Sequence, residues 1–402
     1  MSKNILFITL VKIENILERG IYTDLIREFL NNGHTITVLS PFERRENKKT
    51  SYIKTERLNY LNVKTFNIQK TNLLEKGIGT FAVEFQFLSA IKKYTKDQKF
   101  DLLIYSTPPI TFYKVIEFLK KRDNCKTYLL LKDIFPQNAV DMGLIKYNSP
   151  LYNYFRKKEK KLYDISDNIG CMSIANEKYI LLNNKELSEQ KIEVNPNSIA
   201  YKDFFSDNEK KRNLRKQLEL PEEKTIFFYG GNLGKPQAVD VICEILKSNE
   251  NEENIYFLIV GSGTEAFKIK NCISENCLKN SLYLDAVPKA KFDLIVESCD
   301  VGLLFLDKKF TIPNFPSRLL SYLENYMPVI AATDDVSDVG DILEKYNAGK
   351  KLRIGDLEQF NSTLKIYANN KDLIKEQGDN GNYLLKDLFL ASDSYHRIIS
   401  KL

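Results

Sequence analysis

The feature that most constrains the fold is an alternation of short apolar runs and helical segments that occurs twice along the chain. Near-continuous apolar runs of strand length are typical of parallel strands buried on both faces, and intervening helices indicate a doubly wound sheet. In the first half the predicted strands are Asn4–Leu10, Thr35–Ser40, Val63–Ile68, Asp101–Thr107, Lys126–Asp133 and Asn168–Ile174. In the second half they are Thr225–Gly231, Tyr256–Ser262, Ser281–Val287, Val301–Leu306 and Pro328–Thr333. The predicted fold is therefore α/β, with two Rossmann-like domains whose parallel sheets face each other across a cleft.

The two arrays set the expected domain boundaries. Residues 1–198 are predicted to form the first Rossmann-like domain and residues 199–382 the second, with a hinge near 195–222 that begins at an Asn-Pro-Asn turn. Helices are expected at Gly20–Asn32, ended by Gly33, and at Gly79–Lys96. The last helix-like stretch, 383–402, could pack back on the first domain.

Composition narrows the function class. The 402 residues are 43% hydrophobic and 28% charged, which is typical of a globular chain, and no apolar run approaches the ~20 residues of a membrane-spanning helix. The N-terminus has no signal-peptide cleavage pattern, and the six cysteines lack CxxC spacing, so we expect a cytoplasmic protein without disulfides or zinc. The net charge of +6 does not require a nucleic acid partner.

A glycine-rich turn is the first candidate binding element. In "IFFYGGNLGKPQAVDVI" a predicted strand leads into Gly230, Gly231, Asn232, Gly234 and Lys235 and then into a helix. Glycines let the backbone approach a ligand, so that amides and a helix N-terminus face an anion such as a phosphate. A tight turn without a ligand would have the same sequence. A GxGxxG fingerprint is absent both after the first strand of the chain and at "IVGSGTEAF", where another predicted strand ends, which disfavours a nicotinamide dehydrogenase.

A second candidate anion site begins at "FPSRLLSYLENYMPVIAAT". Ser317 is a good N-cap, Pro316 precedes it, and Arg318 lies in the first turn of the predicted helix. A cation is unfavourable at a helix N-terminus unless an anion compensates it. We therefore expect this helix start to hold an anion, although a cation there is also a common minor imperfection of a solvated face.

An acid in the first domain ends an apolar strand. In "YLLLKDIFPQNAVDMG" Asp133 follows the strand and would orient or deprotonate a hydroxyl, or else cap the next segment. No DxD motif occurs in the chain, so we do not expect a metal-bridged diphosphate site.

One helical segment combines basic and aromatic residues. The sequence "SPLYNYFRKKEKKLYDIS" favours contact with an anionic membrane surface, although a solvated helix with one buried face looks similar. The basic residues are Arg156, Lys157, Lys158, Lys160 and Lys161.

Together these segments resemble the family 4 retaining glycosyltransferases of the GT-B fold, over nearly the whole chain. "GIYTDLIREFLNNGHTITVLS" resembles the family's first helix and second strand, "VNPNS" its interdomain segment, and "YGGNLGKPQAVD" its phosphate loop. "YLDAVPKAKFDLIVESCDVGLLFL" resembles the segment around the nucleotide base, and "FPSRLLSYLENYMPVIA" the donor-binding helix. "KDIFP" resembles the "RDLWP" of capsule and O-antigen enzymes, and the chain is most similar to N-acetylfucosamine and L-fucosamine transferases.

The resemblance implies a hexosyltransferase-type enzyme that needs no cofactor or metal. It would move a sugar, expected to be an N-acetylated amino or deoxyamino sugar, from a UDP-sugar to an undecaprenyl-diphosphate-linked saccharide in capsule or O-antigen biosynthesis. It would work as a peripheral protein on the inner face of the plasma membrane, with the basic helix on the membrane and acceptor side. A nucleotide-sugar epimerase of the same fold, or a non-catalytic GT-B subunit of a membrane assembly, are the alternatives.

The resemblance also assigns roles to residues. Arg318 would stabilise the leaving diphosphate and Asp133 would act on the acceptor side. The family's glutamate pair falls on Pro313 and Ser321, and its phosphate-loop arginine and lysine fall on Asn232 and Gln237, so those roles do not transfer. The expected donor-binding residues are Gly230, Gly231, Asn232, Gly234, Lys235, Gly261, Val287, Pro316, Ser317, Arg318 and Ser321.

Overall fold

The computed structural model describes residues 2–68, 73–204 and 208–402, without the side chains at positions 73, 74, 76–78 and 208. The chain divides into two compact units: Met1–Ala200 with Leu390–Leu402, and Tyr201–Phe389. The predicted hinge at 195–222 includes residues 205–207, which lie outside the described residues.

The first unit is built on one largely parallel sheet. Within the described residues its strands are β1 Asn4–Ile8, β2 Thr35–Glu43, β3 Ser51–Ile53, β4 Leu58–Thr65, β5 Leu102–Ser106, β6 Lys126–Leu131, β7 Asn168–Cys171 and β8 Ile192–Val194. They lie in the order β3-β4-β2-β1-β5-β6-β7-β8, and β3 pairs antiparallel with β4. The order reverses between β1 and β5, as in a doubly wound fold. The first helices are α1 Ile21–Asn31, α2 Leu73–Tyr94, α3 Tyr113–Asp123, α4 Gln137–Asp141, α5 Pro150–Ile165 and α6 Ile174–Asn183.

The second unit repeats this plan with six parallel strands. After α7 Asn208–Gln217 come β9 Thr225–Asn232, α8 Val239–Ser248, β10 Ile255–Ser262, α9 Ala266–Glu275, β11 Ser281–Leu284, α10 Lys289–Glu297 and β12 Val301–Phe305. The remaining elements are α11 Arg318–Glu324, β13 Val329–Thr333, α12 Val339–Lys345, β14 Gly349–Arg353, α13 Leu357–Ala368 and α14 Lys371–Leu388. The strand order is β11-β10-β9-β12-β13-β14. Both sheets confirm the predicted doubly wound parallel architecture.

Apolar strands form the core of each unit. In the first, buried side chains of β1, β2 and β5 pack against α1, with Phe7, Leu25 and Phe29 among them. In the second, Phe227 and Tyr229 of β9 are wholly buried beside residues of β10 and α8. Near-continuous burial along the central strands explains why their sequences are apolar at almost every position.

Several predicted strand ends are wrong at the carboxyl side. β6 ends at Leu131 rather than at Asp133, because the amides of Lys132 and Asp133 donate to the Thr107 hydroxyl instead of a ladder partner. β4 begins well before the predicted start at Val63. Its early residues include Asn59, a buried polar residue that interrupts the apolar pattern from which strands were predicted.

The C-terminal prediction needs the largest correction. The stretch 383–402 is not one helix: α14 ends at Leu388, and α15 Ala391–Ile399 follows. Leu390 has an extended backbone and pairs with Ile199, which interrupts the helical path. α15 packs on α1, where the rings of Tyr395 and Phe29 lie 4.9 Å apart.

Candidate functional site

The strand order of the second unit places a crevice at the end of β9. β9 continues to Asn232, but its pairing with β12 ends at Phe228↔Gly302, so the two carboxyl ends separate beyond that point. Doubly wound sheets bind ligands in the crevice where the winding order reverses. The glycine-rich turn begins with Gly230, Gly231 and Asn232, the last three residues of β9, and α11 follows β12 along the chain. Both predicted anion-binding elements therefore lie at this crevice.

Tyr322 of α11 fills the separation between the strands. A Cβ atom at Gly302 would lie only 2.4 Å from the Tyr322 ring, so glycine is needed there for the close approach. The Tyr322 hydroxyl accepts the Gly230 N–H at 3.1 Å and donates to the Leu303 carbonyl oxygen at 3.3 Å. Burial raises the pKa of Tyr322, so this hydroxyl stays protonated. It ties the glycine turn to both neighbouring elements.

Arg318 lies directly beside the glycine-rich turn. Its Cζ is 4.4 Å from the centroid of the Tyr229 ring, in the geometry of a cation–π contact. A Cβ atom at Gly231 would lie 3.4 Å from the same Cζ, and Gly231 has a φ of 125°, which favours glycine. Burial raises the pKa of Tyr229, although the adjacent Arg318 charge opposes this. Arg318 and the glycine-rich turn, which are distant in the sequence, are thus in contact in the structure.

The amides of the turn are largely used within the protein. The N–H groups of Gly230 and Leu233 donate to Tyr322 and to the Ser262 carbonyl oxygen, the latter at 2.9 Å. The Gly234 N–H donates to Gln237 Oε1 at 3.1 Å, and this oxygen also accepts from the side-chain Nδ2 of Asn232 at 2.9 Å. The expectation that the turn presents its amides to an anion is wrong for these three groups. The exposed side chain of Lys235 follows them in a 3₁₀ turn at Lys235–Gln237.

The start of α11 also differs from the prediction. Ser317 stands at the N-cap position, but its backbone is already helical, and within the described chain its side chain makes no capping hydrogen bond. The N–H groups of Leu319 and Leu320 donate to Pro316 and Ser317 carbonyl oxygens at 3.2 Å. Two amides of this seven-residue helix that were expected to be free are therefore bonded.

The other predicted donor-side residues surround the crevice. Gly261 pairs with Gly231 across β10 and β9, and Ser321 is half-buried one turn after Arg318 in α11. Val287 is half-buried in the loop between β11 and α10. In the same region the Tyr283 hydroxyl lies 2.9 Å from both the Gly261 carbonyl oxygen and an Asp285 carboxylate oxygen. Burial and then Asp285 raise the pKa of Tyr283 to about 12.

Asp133 lies two residues beyond the end of β6 in the first unit. Both of its carboxylate oxygens lie 2.7 Å from Asn138 Nδ2, and the Thr107 hydroxyl donates to its carbonyl oxygen at 3.0 Å. These contacts fix the half-buried carboxylate from the backbone and from α4. The predicted acid is thus held in one orientation, which suits positioning of a hydroxyl group.

Lys132, next to Asp133, is an ionisable group that the sequence did not single out. Its Nζ lies 3.4 Å from the Asn195 carbonyl oxygen beyond β8. Desolvation lowers the pKa of this lysine to about 7. At the carboxyl end of the first sheet, a fixed carboxylate is therefore adjacent in sequence to a lysine whose pKa is lowered by burial.

The predicted basic segment is α5, and its charges are unequally available. Arg156 donates to Glu159 and to the Asn184 side chain, and Lys158 lies 3.4 Å from Glu84. Lys160 pairs with Glu186 at 2.8 Å. Lys157 and Lys161 are exposed. Internal acids therefore neutralise much of the charge that the sequence presents.

In 2–68, 73–204 and 208–402, no group of three or more histidine, cysteine, aspartate or glutamate residues is placed to hold a metal ion. Over the same part of the chain, no helix is both long and apolar enough to span a membrane.

Comparison with known proteins identifies the activity. Residues 210–382, which make up most of the second unit, match the family described as Glycosyl transferases group 1. The chain is a glycosyltransferase. It is 23% identical over 283 residues to the probable glycosyltransferase WbjE of Pseudomonas aeruginosa, covering 70% of this chain and 68% of the relative. It is 22% identical to the O-antigen biosynthesis glycosyltransferase WclY of Escherichia coli over 39% of this chain and 46% of that protein.

The fold of the glycosyltransferase is also found in solved structures. Anabaena HepE, in complex with UDP-glucose, superimposes with a TM-score of 0.69 at 12% identity and covers 100% of both chains. Together with the two parallel sheets, this likeness confirms the predicted GT-B fold, and the family match confirms the predicted enzyme class.

Sequence reasoning missed several residues that shape the site of the glycosyltransferase. Tyr229, Tyr322 and Gln237 organise the glycine turn, and Asn138 orients Asp133. The spacing of Tyr322, four residues after Arg318 in the same helix, was a usable signal, because such residues share a helix face. The roles of Gln237 and Asn138 depend on side-chain contacts that their spacing alone did not reveal.

Proposed function

We propose that this glycosyltransferase retains the anomeric configuration and transfers a sugar from a UDP-sugar to a polyprenyl-diphosphate-linked saccharide. The observation that carries the proposal is the position of Arg318 over Tyr229 and beside Gly231, at the reversal point of the second sheet. HepE was solved with UDP-glucose, which supports a UDP-sugar donor. The name of WclY supports a role in polysaccharide biosynthesis. The resemblance to fucosamine transferases favours an N-acetylated amino or deoxyamino sugar.

The chemistry of the donor accounts for this arrangement. Breaking the bond between the anomeric carbon and the phosphate oxygen leaves both electrons on the diphosphate, whose negative charge grows in the transition state. Arg318 offers a planar set of N–H donors that matches phosphate oxygens, and the Tyr229 ring, whose centroid is 4.4 Å from its Cζ, contacts the guanidinium. A preorganised cation stabilises the leaving group without reorganisation during the reaction. Lys235 at the end of the turn would add a second positive charge.

The acceptor would bind to the first unit near the carboxyl end of β6. Its hydroxyl oxygen forms the new bond to the anomeric carbon on the face that the diphosphate leaves. The proton passes to the departing diphosphate oxygen, and Asp133, fixed by Asn138, orients the hydroxyl. No metal or cofactor is needed in this scheme, because the protein cations neutralise the diphosphate.

The cellular setting follows from the acceptor. A polyprenyl-linked saccharide requires a protein at the inner face of the plasma membrane, and α5 supplies exposed lysines on the first unit. We therefore place the enzyme at that surface as a peripheral protein acting in capsule or O-antigen assembly.

The test is UDP release with a panel of UDP-sugars, measured with and without lipid-linked acceptor. The proposal is supported if UDP release depends on the acceptor and the lengthened saccharide carries a new glycosidic bond with the same anomeric configuration as the donor. Interconversion of the UDP-sugar without UDP release would indicate an epimerase. Binding of UDP-sugar without either reaction, over a broad acceptor panel, would indicate a non-catalytic subunit.

A further inference from the structure

An exposed apolar surface lies on the first unit, where α2 and α5 meet. It consists of Phe81, Phe85, Leu151 and Tyr154, which we call the aromatic patch. These side chains are 49%, 72%, 46% and 41% exposed, respectively. Phe81 and Phe85 lie one turn apart on α2, and Leu151 and Tyr154 lie one turn apart on α5. Large apolar side chains clustered in this way are unusual on a surface that faces only water.

The patch is backed by a fixed aromatic cluster. The Phe81 ring is 5.4 Å from the Tyr154 ring and stacks on the Phe155 ring at 5.8 Å. Phe155 is buried and also contacts the edge of Phe135 at 4.9 Å. Since Phe135 follows Asp133 by two residues, the patch is continuous with the segment that carries the acceptor-side acid.

The charges around the patch are mainly positive and partly neutralised. Lys158 lies above the Tyr154 ring at 5.8 Å and pairs with Glu84 of α2, which joins the two helices. Lys157 and Lys161 are exposed on the same helix. These lysines around the patch complement an anionic surface, but charge attraction does not stabilise the burial of the apolar side chains at its centre. A polar protein partner or a nucleic acid would leave that area unburied.

We infer that the aromatic patch inserts into the interfacial region of an anionic phospholipid bilayer and holds the first unit there, next to the lipid-linked acceptor. Amphipathic helices bind bilayers in this way, with aromatic side chains among the acyl-chain ends and lysines at the headgroups. The inference rests on the proposed function for its partner. It goes further by assigning the insertion to four apolar side chains on two helices, with the lysines of α5 contributing only the contact with the headgroups.

Tryptophan fluorescence tests the insertion directly, because the chain contains no tryptophan. Phe85→Trp places one reporter in the patch, and Phe267→Trp is the matched control, since Phe267 of α9 in the second unit is 59% exposed. With vesicles of phosphatidylcholine and phosphatidylglycerol, Phe85→Trp should shift its emission to shorter wavelength and be quenched by brominated acyl chains. Phe267→Trp should show neither effect. An unshifted, unquenched Phe85→Trp with these vesicles overturns the inference.

Substitution to serine gives the second measurement. Phe85→Ser removes the most exposed ring without touching the buried cluster, and it should weaken sedimentation with the same vesicles roughly tenfold. The loss should persist at high salt, which screens lysine contacts but not apolar burial. Equal binding by Phe85→Ser and the parent protein would contradict the inference.

Two further arms separate this inference from its alternatives. A blue shift of Phe85→Trp that depends on protein concentration and needs no vesicles would assign the patch to contact between copies of the chain, and would overturn bilayer docking. Turnover on a short water-soluble acceptor tests the proposed function alone. If Phe85→Ser keeps its turnover on the soluble acceptor but loses vesicle binding, bilayer docking is supported. If Phe85→Trp inserts into vesicles but the protein shows no transfer activity, docking is supported and the proposed transfer mechanism is refuted.

Discussion

Replacing Arg318 by alanine is the sharpest test of the donor site. The guanidinium lies 4.4 Å above the Tyr229 ring and beside Gly231, where a diphosphate would approach. A single charge-assisted contact to a group that gains charge in the transition state contributes about 2–4 kcal/mol, or on the order of a hundredfold in rate. We expect Arg318→Ala to lower kcat by that factor and to raise the KM for the UDP-sugar less, because the charge is greatest in the transition state.

The same substitution has a separate effect on folding. Loss of the cation–π contact should cost about 1 kcal/mol, which corresponds to a Tm lower by about 2–4 °C in a unit of this size. UDP should then stabilise the parent protein more than Arg318→Ala in a thermal melt. Arg212→Ala is the matched control, since Arg212 is a surface arginine of the second unit that pairs with Glu223 at 3.0 Å. It should leave both kcat and the UDP-induced shift unchanged.

The assay is acceptor-dependent UDP release under saturating donor, followed by its dependence on donor concentration. Arg318→Lys should recover only part of the rate, because an ammonium group does not offer the guanidinium fork. Full turnover by a folded Arg318→Ala protein would refute the assignment. So would a nucleotide complex in which the diphosphate lies away from α11.

Three further predictions concern other parts of the chain. Lys235→Ala should weaken UDP-sugar binding or turnover without unfolding the protein, and unchanged kinetics would remove Lys235 from the site. When glutamine replaces Lys157, Lys158, Lys160 and Lys161, binding to phosphatidylglycerol vesicles at low salt should fall, and activity on a water-soluble acceptor should be spared. Equal binding would leave these four lysines as an ordinary solvated cluster. Burial lowers the pKa of His34 below its ordinary 6.5, so the free energy of unfolding should fall as the pH drops below that value, since the unfolded chain then binds a proton that the folded chain excludes. Denaturant titrations across this pH range should show a smaller fall in His34→Gln.

The central strands could be predicted from sequence because burial on both faces makes them apolar throughout. β9 and β10 illustrate this, since nearly every residue of each is buried. The edge strands β3, β8 and β14 could not be predicted from the sequence, because they are short or carry charges, as in the "GKKLR" of β14. An edge strand pairs with a neighbour on one side only and is exposed to solvent on the other, so its sequence includes polar and charged residues.

The site shows the same division between local and distant determinants. Glycine in the turn and a cation in the first turn of a helix are local signals, and the structure brings them together at Gly231 and Arg318. The hydrogen-bond partners of the individual backbone amides cannot be read from the local sequence. Gln237 takes the Gly234 N–H, and Tyr322, far along the chain, takes that of Gly230, so the sequence overstated what the turn can offer an anion.

These hydrogen bonds change the physical account of the proposed donor site. An anion held by a helix N-terminus depends on free amides and on the dipole of a long helix, whereas α11 has seven residues and the amides of Leu319 and Leu320 are already bonded. The attraction for a diphosphate must then come mainly from the guanidinium of Arg318. Tyr229 and Gly231 matter because the Tyr229 ring contacts the guanidinium and the missing side chain of Gly231 leaves space beside it. Accordingly, Tyr229→Leu, which keeps a buried apolar side chain but removes the ring face, should lower kcat in the same direction as Arg318→Ala but by a smaller factor. If kcat is unchanged in Tyr229→Leu and falls only in Arg318→Ala, the charge of Arg318 is sufficient without the contact to the Tyr229 ring.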